Sequence, residues 1–297
     1  SALREVLRAR GYSEAVCFAF VGAEALRTWQ LEDGAIALAN PLSHELAVMR
    51  TSLLPGLVDA LRRNLARQAA RVRLFEIGHT FAAGSAGPRE SQCLAGVAIG
   101  SAAPEQWGAP RRALDFHDLK GDIEQLLATT GDPASFVFQP VARPWLHPGR
   151  SAEIVRAGQA IGLAGALHPA LAGALDLPQD TWVFELAVEP LAARPVPLAT
   201  EVSRLPSVRR DLAIVVDRKV PWGALETAIR AAAGPLLRGL VLFDEYSGKG
   251  LPDSARSLAI GLILQDDSRT LTDEDASGIV ASVVAVIAES FGGQLRG

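Results

Sequence analysis

Residues 40–57 read Asn40-Pro41-Leu42-Ser43-His44-Glu45-Leu46-Ala47-Val48-Met49-Arg50-Thr51-Ser52-Leu53-Leu54-Pro55-Gly56-Leu57, running on to Arg63-Asn64. A polar turn leads into a helix. Thr51 or Ser52 supplies a capping hydroxyl, and Pro55 is tolerated in the first turn, where its missing N–H costs nothing. Leu54, Leu57, Val58, Leu61 and Leu65 recur at helical spacing and form the buried stripe, while Arg62, Arg63 and Arg67 lie elsewhere on the helix.

Outward from this helix the chain alternates between short apolar runs and turns. Residues 15–21 predict a buried strand. Residues 71–81, which include Arg73-Leu74-Phe75-Glu76, and residues 93–100 predict two more. A helix is expected from Asp118, with Leu119, Ile123 and Leu126 on one face. Further strands are predicted at 152–157, 160–166 and 181–188, the first two joined by a turn at Gly158. Many strands with few crossover helices predict a mainly antiparallel sheet. The prolines of Glu189-Pro190-Leu191-Ala192-Ala193-Arg194-Pro195-Val196-Pro197 resist helix and central strand alike and mark a linker. Two domains are therefore expected, 1–198 and 199–297.

The second part has a different order. Leu212–Val216 is a strand, and Trp222, Leu225, Ile229 and Ala232 define a helix after Pro221. Two strands come next, at Leu240–Tyr246 and Ser257–Gln265. Thr272 caps a long helix with Asp273, Glu274 and Asp275 in its first turn, where the helix dipole favours carboxylates. A short strand at Gly293–Arg296 completes βαββαβ, the ferredoxin-like order.

Composition narrows the function classes. Hydrophobic residues make up 49% of the 297, enough for substantial cores, and the net charge of −4 gives no overall pull toward nucleic acid. Residues 203–297 hold 11 basic and 12 acidic side chains, a net of −1, so that domain is a weak nucleic-acid binder on its own. Lys120, Lys219 and Lys249 are the only lysines. Cys17 and Cys93 form neither a disulfide framework nor a zinc site, and no apolar run is long enough to span a bilayer, so a reducing, cytoplasmic setting is expected. Leu3, Val6 and Leu7 already share a helical face, which suggests a piece of a longer protein.

Other motifs favour structural readings. His117, His147 and His168 lack a second ligand at zinc spacing, and a proline sits directly after each of the last two. Asp115, Asp118, Asp122 and Glu124 form the densest acidic patch, which suits a helix start better than magnesium. Gly248-Lys249-Gly250 lacks phosphate-loop spacing and reads as a tip between strands. No residue is assigned to catalysis or to a metal.

The stretch 40–64 resembles a class II aminoacyl-tRNA synthetase core, and most closely the β subunit of bacterial phenylalanyl-tRNA synthetase. Ser203-Arg204-Leu205-Pro206-Ser207-Val208-Arg209-Arg210-Asp211-Leu212 resembles the opening of that subunit's ferredoxin-like anticodon-binding domain, with Leu205 where phenylalanine is usual. The resemblance implies an α+β chain: a class II synthetase-like antiparallel sheet with flanking helices, then a ferredoxin-like βαββαβ domain. It implies a non-catalytic part of an α2β2 phenylalanine–tRNA ligase, with the α subunit and tRNA(Phe) as partners and part of residues 40–70 facing α. ATP and magnesium belong to the holoenzyme, and none is expected on this chain. Arg73-Leu74-Phe75-Glu76 matches the ATP-binding arginine and acid only superficially. Residues 184–191, where a glycine-rich strand and an arginine-bearing helix belong, offer neither glycine nor arginine. The core is thus expected to keep its fold without its chemistry. RNA contacts are expected at Arg204, Arg209, Arg210, Lys249, Arg256, Arg269 and Arg296, with Phe243 or Tyr246 as stacking rings. Two alternatives remain: a protein assembly module that touches no RNA, and a stand-alone ligase acting on a small molecule.

Overall fold

A computed structural model describes residues 2–178, 180–196 and 203–296. The chain divides into two compact units, Ser1–Pro197 and Leu198–Gly297.

The first unit runs α1 (Ala2–Ala9), β1 (Ser13–Glu14), β2 (Phe20–Val21), α2 (Ala23–Trp29), β3 (Val48–Met49), α3 (Leu54–Leu65), β4 (Val72–Gly84) and β5 (Gly87–Ile99). It continues through α4 (Phe116–Ala128), β6 (Phe136–Pro140), β7 (Leu146–Arg156), β8 (Gln159–Leu167), α5 (Pro169–Ala174), β9 (Trp182–Ala187) and α6 (Glu189–Ala192). Seven strands form one sheet in the order β1-β4-β5-β9-β8-β7-β6. Every pairing in it is antiparallel except β1 with β4.

Strand alternation feeds two cores, one on each face of this sheet. Phe75, Leu94, Ala98, Phe184 and Leu186 pack with Leu7 of α1 and Leu119 and Ile123 of α4. Ala95, Val97, Ile99 and Val183 pack with Leu54, Leu57, Val58 and Leu61 of α3 on the other.

Four local expectations need correction. Residues 15–21 are not one buried strand: only Phe20 and Val21 pair with β3, and Val16 and Phe18 are 93% and 72% exposed. The chain turns away from β4 after Ala15, whose N–H donates to the Phe75 carbonyl, and is next held by Arg50, whose side chain reaches the Phe18 carbonyl and whose N–H donates to that of Ala19. The cap position of α3 falls on Leu53, one residue past Ser52, though the Ser52 hydroxyl does accept from the Leu54 N–H at 3.1 Å as expected. Helix α4 begins before Asp118, because Asp115 is its N-cap and the two aspartates form a reciprocal capping box. The proline-rich stretch holds the short helix α6, since Pro190 sits in its first turn where no N–H is needed. Residues 197–202, beginning with the last proline of that stretch, lie outside the described residues.

The second unit runs β10 (Val208–Asp217), α7 (Trp222–Ala233), β11 (Leu237–Tyr246), β12 (Ala255–Leu264), α8 (Asp273–Phe291) and β13 (Gln294–Leu295). The sheet order is β11-β12-β10-β13, all antiparallel. This is the ferredoxin-like βαββαβ arrangement. Leu258, Ile260, Leu262 and Leu264 of β12 and Ile214 and Val216 of β10 pack under α7 and α8. The opposite face of the sheet carries Ala259, Gly261 and Ile263.

Candidate nucleic-acid interface

The face of the second sheet away from the helices is built from small residues on β12 and long ones on its neighbours. Asp211 on β10 and Val241 on β11 flank Gly261, which is buried. A Cβ on Gly261 would meet Asp211 Oδ1 at 3.0 Å and Arg209 Nη2 at 3.1 Å. The glycine therefore lets this ion pair lie close to the backbone. Arg209 Nε donates to Asp211 Oδ1 at 2.8 Å, and its guanidinium stands 5.4 Å from the Phe243 ring centre. Arg296, after β13, places its guanidinium 4.8 Å from the centre of the Tyr246 ring. The Tyr246 hydroxyl donates to the Lys249 carbonyl at 3.1 Å, holding the β11–β12 turn against the same ring. Phe243 and Tyr246 are exposed, as are Val241 and Leu242 between Gly239 and Phe243. Register shifts after Leu237 and Leu242 interrupt the ladder on β11, so this edge is irregular as well as apolar.

The seven expected cations fall into two groups. Arg209 and Arg296 lie beside exposed aromatic rings. Lys249 in the β11–β12 turn and Arg204 ahead of β10 are exposed and make no ion pair among the described residues. The other three are engaged in holding the fold. Arg210 alternates to the helix-covered side of β10 and pairs with Asp273 in the first turn of α8. Its neighbour Asp211, the partner that sequence proximity suggests, is taken by Arg209. Arg256 donates to the Val220 carbonyl at 2.7 Å and stands 3.4 Å from Glu245. Arg269 grips Asp275 through two bonds of 2.6 and 2.9 Å. That grip, and secondarily donation from Thr272, holds the Asp275 carboxyl well below the usual aspartate range. Sequence spacing finds all seven cations, but their sorting depends on strand parity at Arg209 and Arg210 and on partners far along the chain.

In the first unit, Arg73 and Glu76 do not assemble into a nucleotide site. Three residues apart on β4, they project to opposite faces. Arg73 joins Asp122 at 2.8 Å, and Asp122 also accepts from Arg10 at 2.6 Å and from the Tyr12 hydroxyl at 2.9 Å. Burial, and then the neighbouring Asp122 charge, push the Tyr12 hydroxyl far above its usual value, so it stays a donor. Glu76 meets Arg50 at 2.8 Å beneath α3, with both side chains buried. Both halves of the superficial motif are consumed by structural pairs, so these residues do not fit a triphosphate. Nothing in the sequence marks Arg10, Tyr12 or Arg50 as their partners.

The remaining candidates are equally local. His147 Nδ1 accepts from the Gly149 N–H at 3.0 Å, and His168 Nδ1 accepts from Ala170 at 3.2 Å as the cap of α5. Asp115 and Asp118 cap α4, and Glu124 pairs with Lys120. Among the described residues no three His, Cys, Asp or Glu side chains converge as a metal would require, and no helix is long and apolar enough to cross a membrane.

Comparison with known proteins agrees with this architecture. Residues 1–188 match the family model described as the phenylalanyl tRNA synthetase beta chain CLM domain, and residues 203–296 match the ferredoxin-fold anticodon binding domain. The chain is 52% identical over 297 residues to the phenylalanine–tRNA ligase beta subunit of Xanthomonas axonopodis pv. citri (strain 306), a match covering 99% of this chain and 37% of that one. It is 50% identical over 299 residues to the subunit of the same description from Xylella fastidiosa (strain Temecula1 / ATCC 700964), covering 100% of this chain and 38% of the relative. The chain thus spans well under half the length of these relatives. With one family model covering most of the first unit and another all of the second unit's described residues, the chain belongs to the phenylalanyl-tRNA synthetase β-chain family.

Proposed function

We propose that this chain is the scaffold and tRNA-binding part of an ATP-dependent phenylalanine–tRNA ligase, and that it performs no chemistry itself. Adenylation and transfer fall to the catalytic α subunit of an α2β2 cytoplasmic holoenzyme, which also holds ATP and magnesium. The second unit reads tRNA(Phe) near the anticodon. The observation that carries this reading is the open sheet face, where Arg209 with Phe243 and Arg296 with Tyr246 set cations beside exposed rings. Rings of this kind stack on bases of any identity, and arginine serves both ring and phosphate. Lys249 and Arg204 extend the surface. Arg210, Arg256 and Arg269 support it from within the fold.

A net charge of −1 over residues 203–297 means that this face works beside other tRNA contacts of the holoenzyme. The first unit gives the catalytic subunit its docking surface. Val16, Phe18 and Leu42 are large, apolar and mostly exposed, and Leu42 lies in the 40–70 segment. Water-facing apolar groups of this size suit a protein interface.

The test is charging of tRNA(Phe) by the holoenzyme. Deleting residues 203–297, or replacing both Arg209 and Arg296 by alanine, should raise KM for tRNA and leave kcat nearly unchanged. An unchanged KM and unchanged anticodon preference after the deletion would make the second unit an assembly module.

A further inference from the structure

A cleft of about 1010 Å³ opens in the first unit beside the loop that links β5 to α4. Leu65, Ile99, Pro104 and Pro110 give it apolar walls, and Arg71 and Arg111 also line it. These two arginines differ from most others in the unit. Arg71 is half-buried and donates to the Ser101 carbonyl at 3.1 Å, with a second contact to Ala102 O at 3.5 Å. No carboxylate lies within ion-pair distance of it among the described residues. Asp122, whose charge reaches it, is already shared by Arg10 and Arg73. Arg111 makes no ion pair among the described residues either.

The other charges on the lining are mostly spent. Arg112 is bonded twice to Asp118, at 2.5 and 2.6 Å. Asp180 is held by Arg150 at 2.7 Å. Glu105 is the remaining acid, so two uncommitted cations face one uncommitted carboxylate. The same loop carries Trp107, which is fully exposed. Trp107 does not itself line the cleft, and its uncovered ring is open to stacking on a planar ligand.

We propose that this cleft binds a phosphate-bearing nucleotide, either free or as one unit of an RNA chain. Arg71 and Arg111 hold the phosphate, and the apolar walls with Trp107 cover the base. The size suits a nucleotide, since small-molecule sites run to roughly 300–1,000 Å³. Planar guanidinium groups match phosphate, and an indole stacks on any base. An acidic peptide would satisfy the arginines but not the ring and the proline wall. The proposal does not depend on the anticodon face, because all its residues belong to the first unit.

Calorimetric titration of the 297-residue chain with AMP, adenosine, hexa-adenylate RNA and hexa-glutamate tests it. AMP should bind about tenfold more tightly than adenosine, the effect of one charge-assisted contact. Arg111→Ala should weaken AMP binding by about the same factor with an unchanged unfolding midpoint, and Trp107→Ala should weaken it several-fold. Binding should survive in the Arg209→Ala, Arg296→Ala double variant, which separates the cleft from the anticodon face. Equal affinity for AMP and hexa-adenylate identifies a free nucleotide, and a tenfold preference for the oligomer identifies an RNA chain. Three results overturn the proposal: no AMP or hexa-adenylate binding at millimolar concentration, binding indifferent to Arg111→Ala, or hexa-glutamate bound more tightly than either.

Discussion

Glu185 on β9 accepts the backbone N–H of Leu53 at 2.7 Å, from 132 positions further along the chain. Its second oxygen accepts from the Ser52 hydroxyl at 2.8 Å. Helix α3 has Leu53 at its cap position, whose side chain offers no acceptor; the Ser52 hydroxyl accepts the Leu54 N–H at 3.1 Å instead, and the buried carboxylate on a central strand fixes that hydroxyl and the Leu53 N–H. Burial is the main cause that raises the Glu185 carboxyl above its usual value, and donation from Leu53 only partly offsets it. A carboxyl raised in the folded state stabilises most below the unfolded-state value, and that stability is lost as pH rises through the folded-state value. Glu185→Gln keeps an acceptor for Leu53 and removes the titration. The variant should therefore gain stability relative to the parent as pH rises from the ordinary glutamate value upward. Glu185→Ala leaves the Leu53 N–H buried and unpaired and should lose about 1–3 kcal/mol. Urea unfolding across that pH range checks both, and a parallel pH profile for Glu185→Gln and parent would refute the assignment.

The Asp122 cluster makes a second prediction. Asp122 is fully buried and joins α4 to the turn that follows α1 and to β4 through Arg10, Tyr12 and Arg73. Removing the carboxylate strands a buried arginine, so Asp122→Ala should cost about 3–5 kcal/mol. Arg73→Ala strands less, because Arg10 and Tyr12 still satisfy the acid, and should cost clearly less. Neither the parent nor Arg73→Ala should show phenylalanine-dependent ATP–pyrophosphate exchange. Exchange by the parent chain that Arg73→Ala abolishes would establish an adenylating site here.

The two groups of arginines on the second unit should separate by salt dependence. Arg209→Ala and Arg296→Ala should weaken tRNA binding and each lower the salt slope by about 0.7–0.9, the value for one phosphate contact. Arg269→Ala should leave the slope alone. It frees Asp275, whose carboxyl then returns toward the usual range, and so removes stability that the pair supplies above the unfolded aspartate value. Binding isotherms at several salt concentrations, with unfolding curves beside them, make the comparison. A slope change at Arg269 equal to that at Arg209 would place both on the RNA.

Legibility in the sequence depends on where each signal resides. The stripe Leu54, Leu57, Val58, Leu61 and the alternation Leu258, Ile260, Leu262, Leu264 depend on local periodicity alone, and both are buried as that periodicity requires. The capping box at Thr272 and Asp275 spans three residues and is equally legible. Asp122 lies 112 residues from Arg10 and 110 from Tyr12, and no local pattern joins them to Arg73. Residues 15–21 mislead for a related reason. Their apolar run suits a buried strand, yet its backbone is claimed piecemeal by Phe75 and Arg50, leaving Val16 and Phe18 facing out. At the candidate site the cations are visible, but the choice between ring and carboxylate partners is not, since Asp273, Asp275 and Phe243 reach their arginines only in the folded unit.

Gly261 separates stability from recognition on the open sheet face. Alanine in place of glycine inside a strand removes excess freedom from the unfolded chain, a gain of about 0.5–1 kcal/mol where space allows. The atoms that the new Cβ would meet are Asp211 Oδ1 at 3.0 Å and Arg209 Nη2 and Cζ at 3.1 and 3.2 Å. All are ends of flexible, half-exposed side chains, so they can move aside at little cost. Moving aside takes the guanidinium from its place 5.4 Å from the Phe243 ring centre. Gly261→Ala should therefore hold or raise the unfolding midpoint while weakening tRNA binding several-fold. Combined with Arg209→Ala, it should weaken binding no further, because the arginine it displaces is already gone. Full additivity in that double variant would show that Gly261 acts on tRNA by some route other than Arg209.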